Sequence, residues 1–193
     1  MTIPMLRGRL ITYGRDATAT PVMIKENVDQ LALRKWITAG LQIQEVSDLN
    51  GDAGYLLSNM IAKYTLAASE YRVSVKAAKC FAQLNVDMDE TYSRSKFYGK
   101  KSPFLYEHSM PASLVRRALL EIIPTEENVL QVLQSAGQVV VVLREEDELL
   151  RSSGLAKKMP NGWAEGDSAD ARYAACEIEI SLKSLKVKGA IQR

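Results

Sequence analysis

Apolar positions recur at helical spacing through the first half of the chain and condense into shorter runs in the second. Between Val28 and Val46, the residues Leu31, Trp36, Ile37, Leu41 and Ile43 approximate one helical face, weakened at Gly40. Asn50, Gly51 and Asp52 then supply a turn signal. From Tyr55 to Tyr98 the chain holds neither Gly nor Pro. Leu57, Met60, Ile61, Tyr64, Ala67, Ala68, Tyr71, Val75, Ala78 and Phe81 keep a three-then-four rhythm there. That spacing predicts one core helix of about 40 Å at about 1.5 Å per residue, or a pair broken near Ser69 or Ser74. Its heptad-like register also suits a homodimer through the helix spanning Leu57 to Phe81, with a seam rich in Ala and Tyr rather than Leu and Ile.

The second half alternates helix and strand. Pro111 can open a helix, because its missing N–H is not needed there. Leu114, Val115, Ala118, Leu119, Ile122 and Ile123 form its apolar stripe, and Pro124 stops it. Thr125 caps the next helix, with Glu126 and Glu127 at its positive end and Val129, Val132, Leu133 and Ala136 facing inward. Gly137 closes it. The β-branched run from Gln138 to Leu143 predicts a buried central strand. An acidic helix follows over Arg144 to Ser153, ended by Gly154. Met159 to Tyr173 reads as loop. Glu177 to Lys183 alternates, with Ile178, Ile180 and Leu182 on one face, and Leu185 and Val187 continue that strand out of phase, as a bulge would produce. Residues 1–24 read as extended structure, either a hairpin on the body or a partner-binding arm. The pattern predicts an α+β fold: a helix-rich layer with a long N-terminal-half helix packed against a small β-sheet, in a single domain over 1–193.

Composition narrows the class without naming a function. Hydrophobic residues at 47% and charged residues at 25% are ordinary for a folded domain and unlike a disordered chain. No stretch approaches the roughly 20 apolar residues of a spanning helix, and the first residues lack a secretory pattern. Cys80 and Cys176 have no Cys-x-x-Cys spacing and suit reduced thiols, although sequence separation leaves their pairing open. The expectation is a soluble, cytoplasmic protein with no membrane partner.

The net charge of +2 points to no partner by itself, but the distribution does. Between Thr91 and Tyr106, Arg94, Lys96, Lys100 and Lys101 are interleaved with Tyr92, Phe97, Tyr98, Phe104 and Tyr106, and no acid intervenes. Cations that neutralise phosphates beside rings that stack on bases are what single-strand binding requires. Tyr92, Arg94, Lys96, Phe97, Tyr98, Lys100 and Lys101 are therefore the candidate binding residues, for nucleic acid or a nucleic-acid-associated protein. Lys183, Lys186, Lys188 and Arg193 add a basic tail, while Glu121 to Glu148 is strongly acidic. The plainer alternative is a solvated loop whose rings plug into the core.

His108 is the only histidine. Glu107-His108-Ser109-Met110-Pro111 resembles the first half of the HNH nuclease motif, which implies a histidine that activates water beside a metal. The resemblance ends after five residues: the family needs a later Asn and a further His or Asn on the helix that completes the metal site, and no second histidine occurs. A metal-free variant would use Glu107 as base, His108 as acid and Arg116 or Arg172 to clamp a phosphate. Against it, adjacent residues of an extended segment point to opposite sides. The structural alternatives are His108 as a cap for the following helix and Arg172 paired with Asp167, Asp170 or Glu107. No phosphate-binding loop, dinucleotide fingerprint, zinc spacing or calcium loop occurs, so no cofactor or metal is implied.

The leading expectation is a non-enzymatic binding protein, of regulator or inhibitor type, acting on nucleic acid or its machinery. A small metal-independent nuclease is the second, and an assembly protein held by the long helix the third.

Overall fold

A computed structural model describes residues 25–43 and 52–188. The expected arm or hairpin over 1–24, the turn at Asn50 and Gly51, and Arg193 lie outside the described residues. Helix α1 (Val28–Ile43) begins at a reciprocal cap. Asn27 Oδ1 accepts the Gln30 N–H at 2.9 Å, and Gln30 Oε1 accepts the Asn27 N–H. Helix α2 (Asp52–Leu66) packs beside it. The chain then enters strand β1 (Glu70–Ser74) and helix α3 (Val75–Gln83).

The single long helix expected from Tyr55 to Tyr98 is therefore not formed. The chain breaks near both candidate serines, with a strand between. Tyr71 fits the helical rhythm, but Tyr71 and Val73 also alternate with Arg72, and Val73 favours extended backbone. Burying both rings and branches on one sheet face wins over continuing the helix. Ser74 starts α3 by accepting the Ala77 N–H, and Asn85 in the left-handed region follows its end.

A 3-10 turn (Arg94–Phe97) leads to strand β2 (Phe104–His108). Helices α4 (Ala112–Glu121) and α5 (Glu126–Ser135) follow, with Pro111 at the entrance of α4 and Thr125 Oγ1 accepting the Asn128 N–H. Strand β3 (Val139–Leu143), helix α6 (Arg144–Ser152), a five-residue helix α7 (Ala171–Ala175) and strand β4 (Ile180–Lys186) follow among the described residues. The segment expected to be loop up to Tyr173 thus already contains most of α7.

The strands form one mixed sheet in the order β2-β3-β1-β4. β1 and β3 run parallel in the centre, while β2 and β4 pair antiparallel at the edges. One face carries Tyr71, Val73, Val139, Val141 and Leu185 against α3, Phe97 and Phe104. The other carries Val140 and Val142 against Leu150, Leu155 and Tyr173. β3 is buried on both faces, as its unbroken Val run predicts. A third core joins α1, α2, α4 and α5 through Ile37, Ile61, Tyr64, Val115, Leu119, Val129 and Leu133. The fold is α+β.

β4 departs from its expected phase. Its pairing with β1 shifts between Ser184 and Ile180. Leu182 is left wholly exposed, while Leu185 and Val187 take the inner face. The bulge read from the sequence is present, and it moves the buried set toward the end of the strand.

Candidate functional site

Two side chains expected to act together, Glu107 and His108, are placed on opposite faces of β2. Phe104, Tyr106 and His108 turn to one face, Phe104 against Phe81 of α3 and His108 toward α2, and Leu105 and Glu107 turn toward α6 and α7. Glu107 Oε2 accepts from Arg172 Nη2 at 2.5 Å. Arg172 is 1% exposed and also donates to the carbonyls of His108, Leu155 and Ala156. Its guanidinium closes the far side of the sheet as a structural hub. Burial pushes the Glu107 carboxyl above its usual range, and Arg172 opposes that shift. Nearby, Asp147 pairs with Arg151 at 2.7 Å. Arg172 Nε and the Tyr173 hydroxyl are buried without a hydrogen-bond partner among the described residues.

His108 faces away from this network. Its Nε2 lies 3.3 Å from the Ala62 carbonyl oxygen in α2, and burial holds the imidazole below its ordinary pKa. Arg116 sits half-buried on α4, and no hydrogen bond or ion pair among the described residues joins it to Glu107, His108 or Arg172. The expected grouping of Glu107, His108, Arg116 and Arg172 around one phosphate is therefore corrected. Strand alternation separates the base from the acid, and Arg172 is spent on carbonyls and Glu107. His108 does not cap α4 either, since its ring reaches back to α2.

The basic-aromatic segment also divides. Phe97 and Phe104 are core residues, packed with Phe81 at ring-centroid distances of 5.0 and 4.1 Å. Phe97 is thereby removed from the expected contact surface. Tyr92 is half-buried, with its ring edge against Phe97 and Lys96 Nζ 4.0 Å above its centre. Lys100 and Lys101 are exposed on a turn held by Arg144, whose guanidinium donates to the carbonyls of Gly99 and Ser102. Tyr98 is 67% exposed.

Arg94, Tyr98, Tyr106 and His108 meet residues of α1 and α2 around a groove of about 930 Å³, whose other walls include Asp29, Leu33, Trp36, Lys63 and Leu66. Arg94 donates to the Leu66 carbonyl, and the Tyr106 hydroxyl donates to the Arg94 carbonyl at 2.8 Å. Tyr106, pushed up to about 12 by burial, keeps its proton. Tyr98 and Tyr106 rings lie 5.9 Å apart. Tyr98 also lines a second hollow with Lys96, Lys100 and Lys101. One exposed ring thus joins the groove to the lysine turn.

Trp36 and Lys63 were missed in the sequence, and the reason is geometric. Trp36 reads as a core position because it precedes Ile37, yet it is 70% exposed while Ile37 is fully buried. Neighbours on a helix lie about 100° apart, and the inner face of α1 runs through Gln30, Arg34, Ile37 and Thr38, which leaves Trp36 outside it. The inner face of α1 is completed by polar residues instead. Arg34 pairs with Glu26 at 2.9 Å and Glu126 at 2.8 Å, and the Tyr64 hydroxyl donates to Glu26.

No family model, curated protein or solved structure matches the chain. Among the described residues, no helix is long and apolar enough to cross a membrane. Cys80 and Cys176 are unpaired, and no group of three or more candidate metal ligands occurs among those residues.

Proposed function

We propose that the protein is a non-enzymatic binder of single-stranded nucleic acid, acting in the cytoplasm, with the groove between α1, α2 and the 3-10 turn as its contact surface. The observation that carries this reading is Tyr98, an exposed ring shared by the groove and the lysine hollow. Trp36 adds a second exposed ring on the facing helix. Bases stack on such rings irrespective of sequence, and each stacked base contributes about 1–3 kcal/mol. Arg94, Lys63, Lys100 and Lys101 supply positive charge along the same path, against Asp29 alone among the acids lining it. That imbalance suits a phosphate backbone rather than a neutral ligand. The two unpaired thiols fit a reducing compartment.

Anisotropy with labelled single strands tests this over a salt series. Binding is expected to weaken steeply as salt rises. In Lys100→Glu/Lys101→Glu the log–log salt slope is expected to fall by about 1.4, at about 0.7 per lost phosphate contact on a single strand. Tyr98→Ala is expected to weaken binding by at least about fivefold at every salt concentration, through lost stacking. Affinity that is absent, or unaffected by both variants, overturns the reading.

A further inference from the structure

His108 has one ring nitrogen accounted for and one available. The Ala62 carbonyl can only accept, so its contact with Nε2 assigns the ring proton to that nitrogen. Burial and the Arg172 charge both favour the neutral ring. In that tautomer Nδ1 is a lone-pair acceptor. No donor among the described residues bonds to it, and it is not one of the sealed, unpartnered polar atoms of the interior. It is therefore not sealed from solvent, and the groove is the hollow that His108 lines.

The charged groups around His108 bear on what it can recognise. Lys63 comes from α2, Asp29 from α1, Arg94 from the 3-10 turn, and Arg172 from α7 approaches through the His108 carbonyl. Of these charges, Arg172 is the one that disfavours a second ring proton, in addition to burial. A phosphate has only acceptors to offer at neutral pH and gains nothing from Nδ1. A nucleobase edge carries N–H donors. We propose that His108 is a base-contacting residue: Nδ1 accepts an N–H from the edge of a base stacked on Tyr98, while Arg94 and Lys63 face the neighbouring phosphates. This rests on the nucleic-acid reading above and adds to it a contact with the base itself.

Because the chain has a single histidine, ¹⁵N-labelled imidazole reports on it without ambiguity. The full chain at pH 7.5 is titrated with a strand of deoxycytidines and with a strand of the same length made only of abasic nucleotides, while anisotropy records binding of each. The Nδ1 resonance is expected to move with the first strand and not the second. His108→Phe is expected to bind the base-bearing strand about fivefold more weakly, as for one neutral hydrogen bond. Affinity is also expected to fall as the imidazole becomes protonated. An unmoved Nδ1 while the base-bearing strand is bound overturns the base contact and leaves the groove reading standing. Affinity that rises on acidification does the same, because it marks an imidazolium–phosphate contact. Neither strand binding overturns both.

Discussion

His108 and Arg172 show how burial turns two ordinary polar residues into determinants of stability. The His108 pKa is lowered below 6.5 by desolvation first, then by Arg172, with the Ala62 carbonyl opposing. The unfolded chain therefore binds its proton more readily than the folded one. Stability from this residue is full above about pH 6.5 and is lost as pH falls through the lower folded value. Denaturant unfolding between pH 7.5 and pH 5.5 is expected to show stability falling on acidification, with a shallower slope in His108→Gln. An unchanged slope would remove His108 as its source. Arg172 belongs to another class. It holds Glu107 and three carbonyls from a position closed to water. Arg172→Ala is expected to lower stability by about 3–5 kcal/mol, because Glu107 is left buried without its partner. Glu107→Ala should cost less, since Arg172 keeps its three carbonyl acceptors, and chemical denaturation of the two variants compares them directly.

At the scale of elements, the fold is organised where the two parallel strands end. β1 runs into α3 and β3 runs into α6, so two helix N-termini open side by side. Glu146, buried on α6, accepts the Leu143 N–H at 2.8 Å and the Ser74 hydroxyl at 2.6 Å. Ser74 in turn accepts the Ala77 N–H of α3. One hydroxyl and one carboxylate therefore cap two helices and tie the strands together. Ser74→Ala is expected to cost about 1–2 kcal/mol as a lost cap. Glu146→Ala should cost more, leaving a buried hydroxyl and an amide without an acceptor. Because both act through one network, the double variant is expected to lose less than the sum, and a thermodynamic cycle from urea unfolding measures the shortfall.

For the whole molecule, the apolar seam once suited to self-association is already used. Leu57, Ile61 and Tyr64 belong to the helical core, and Tyr71, Ala77 and Phe81 to the sheet core. The homodimer expected through the helix spanning Leu57 to Phe81 has neither a continuous helix nor a free seam. Ile61→Ala is expected to lower stability by about 2–5 kcal/mol through a cavity while leaving the sedimentation coefficient of the native chain unchanged. A mass that drops by half in that variant would restore the dimer. The exposed apolar residues lie elsewhere, with Val28, Trp36 and Ile43 on the outer side of α1.

Local rules were enough for what lies close along the chain. The α4 stripe from Leu114 to Leu119, the α5 stripe, the Pro111 entrance, the Thr125 cap, the buried Val run of β3 and the bulge in β4 were legible, because periodicity, capping and β-branching act within a few residues. Ile123, by contrast, was read into the α4 stripe and lies exposed beyond the helix end at Glu121. The separation of Glu107 from His108 was legible too, as strand alternation. What tertiary structure decided was every choice between two admissible partners. Tyr71 suited a helix or a strand, and only β3 lying alongside made the strand better. Phe97 and Tyr98 are neighbours of similar chemistry, yet Phe81 and Phe104 claimed one ring and left the other in water. Trp36 faced outward because Arg34, Glu26 and Glu126 filled the inner side with a network that spans distant segments. Burial is shared among residues far apart in sequence, so the groove that joins α1 to the basic segment exists only once the chain has closed.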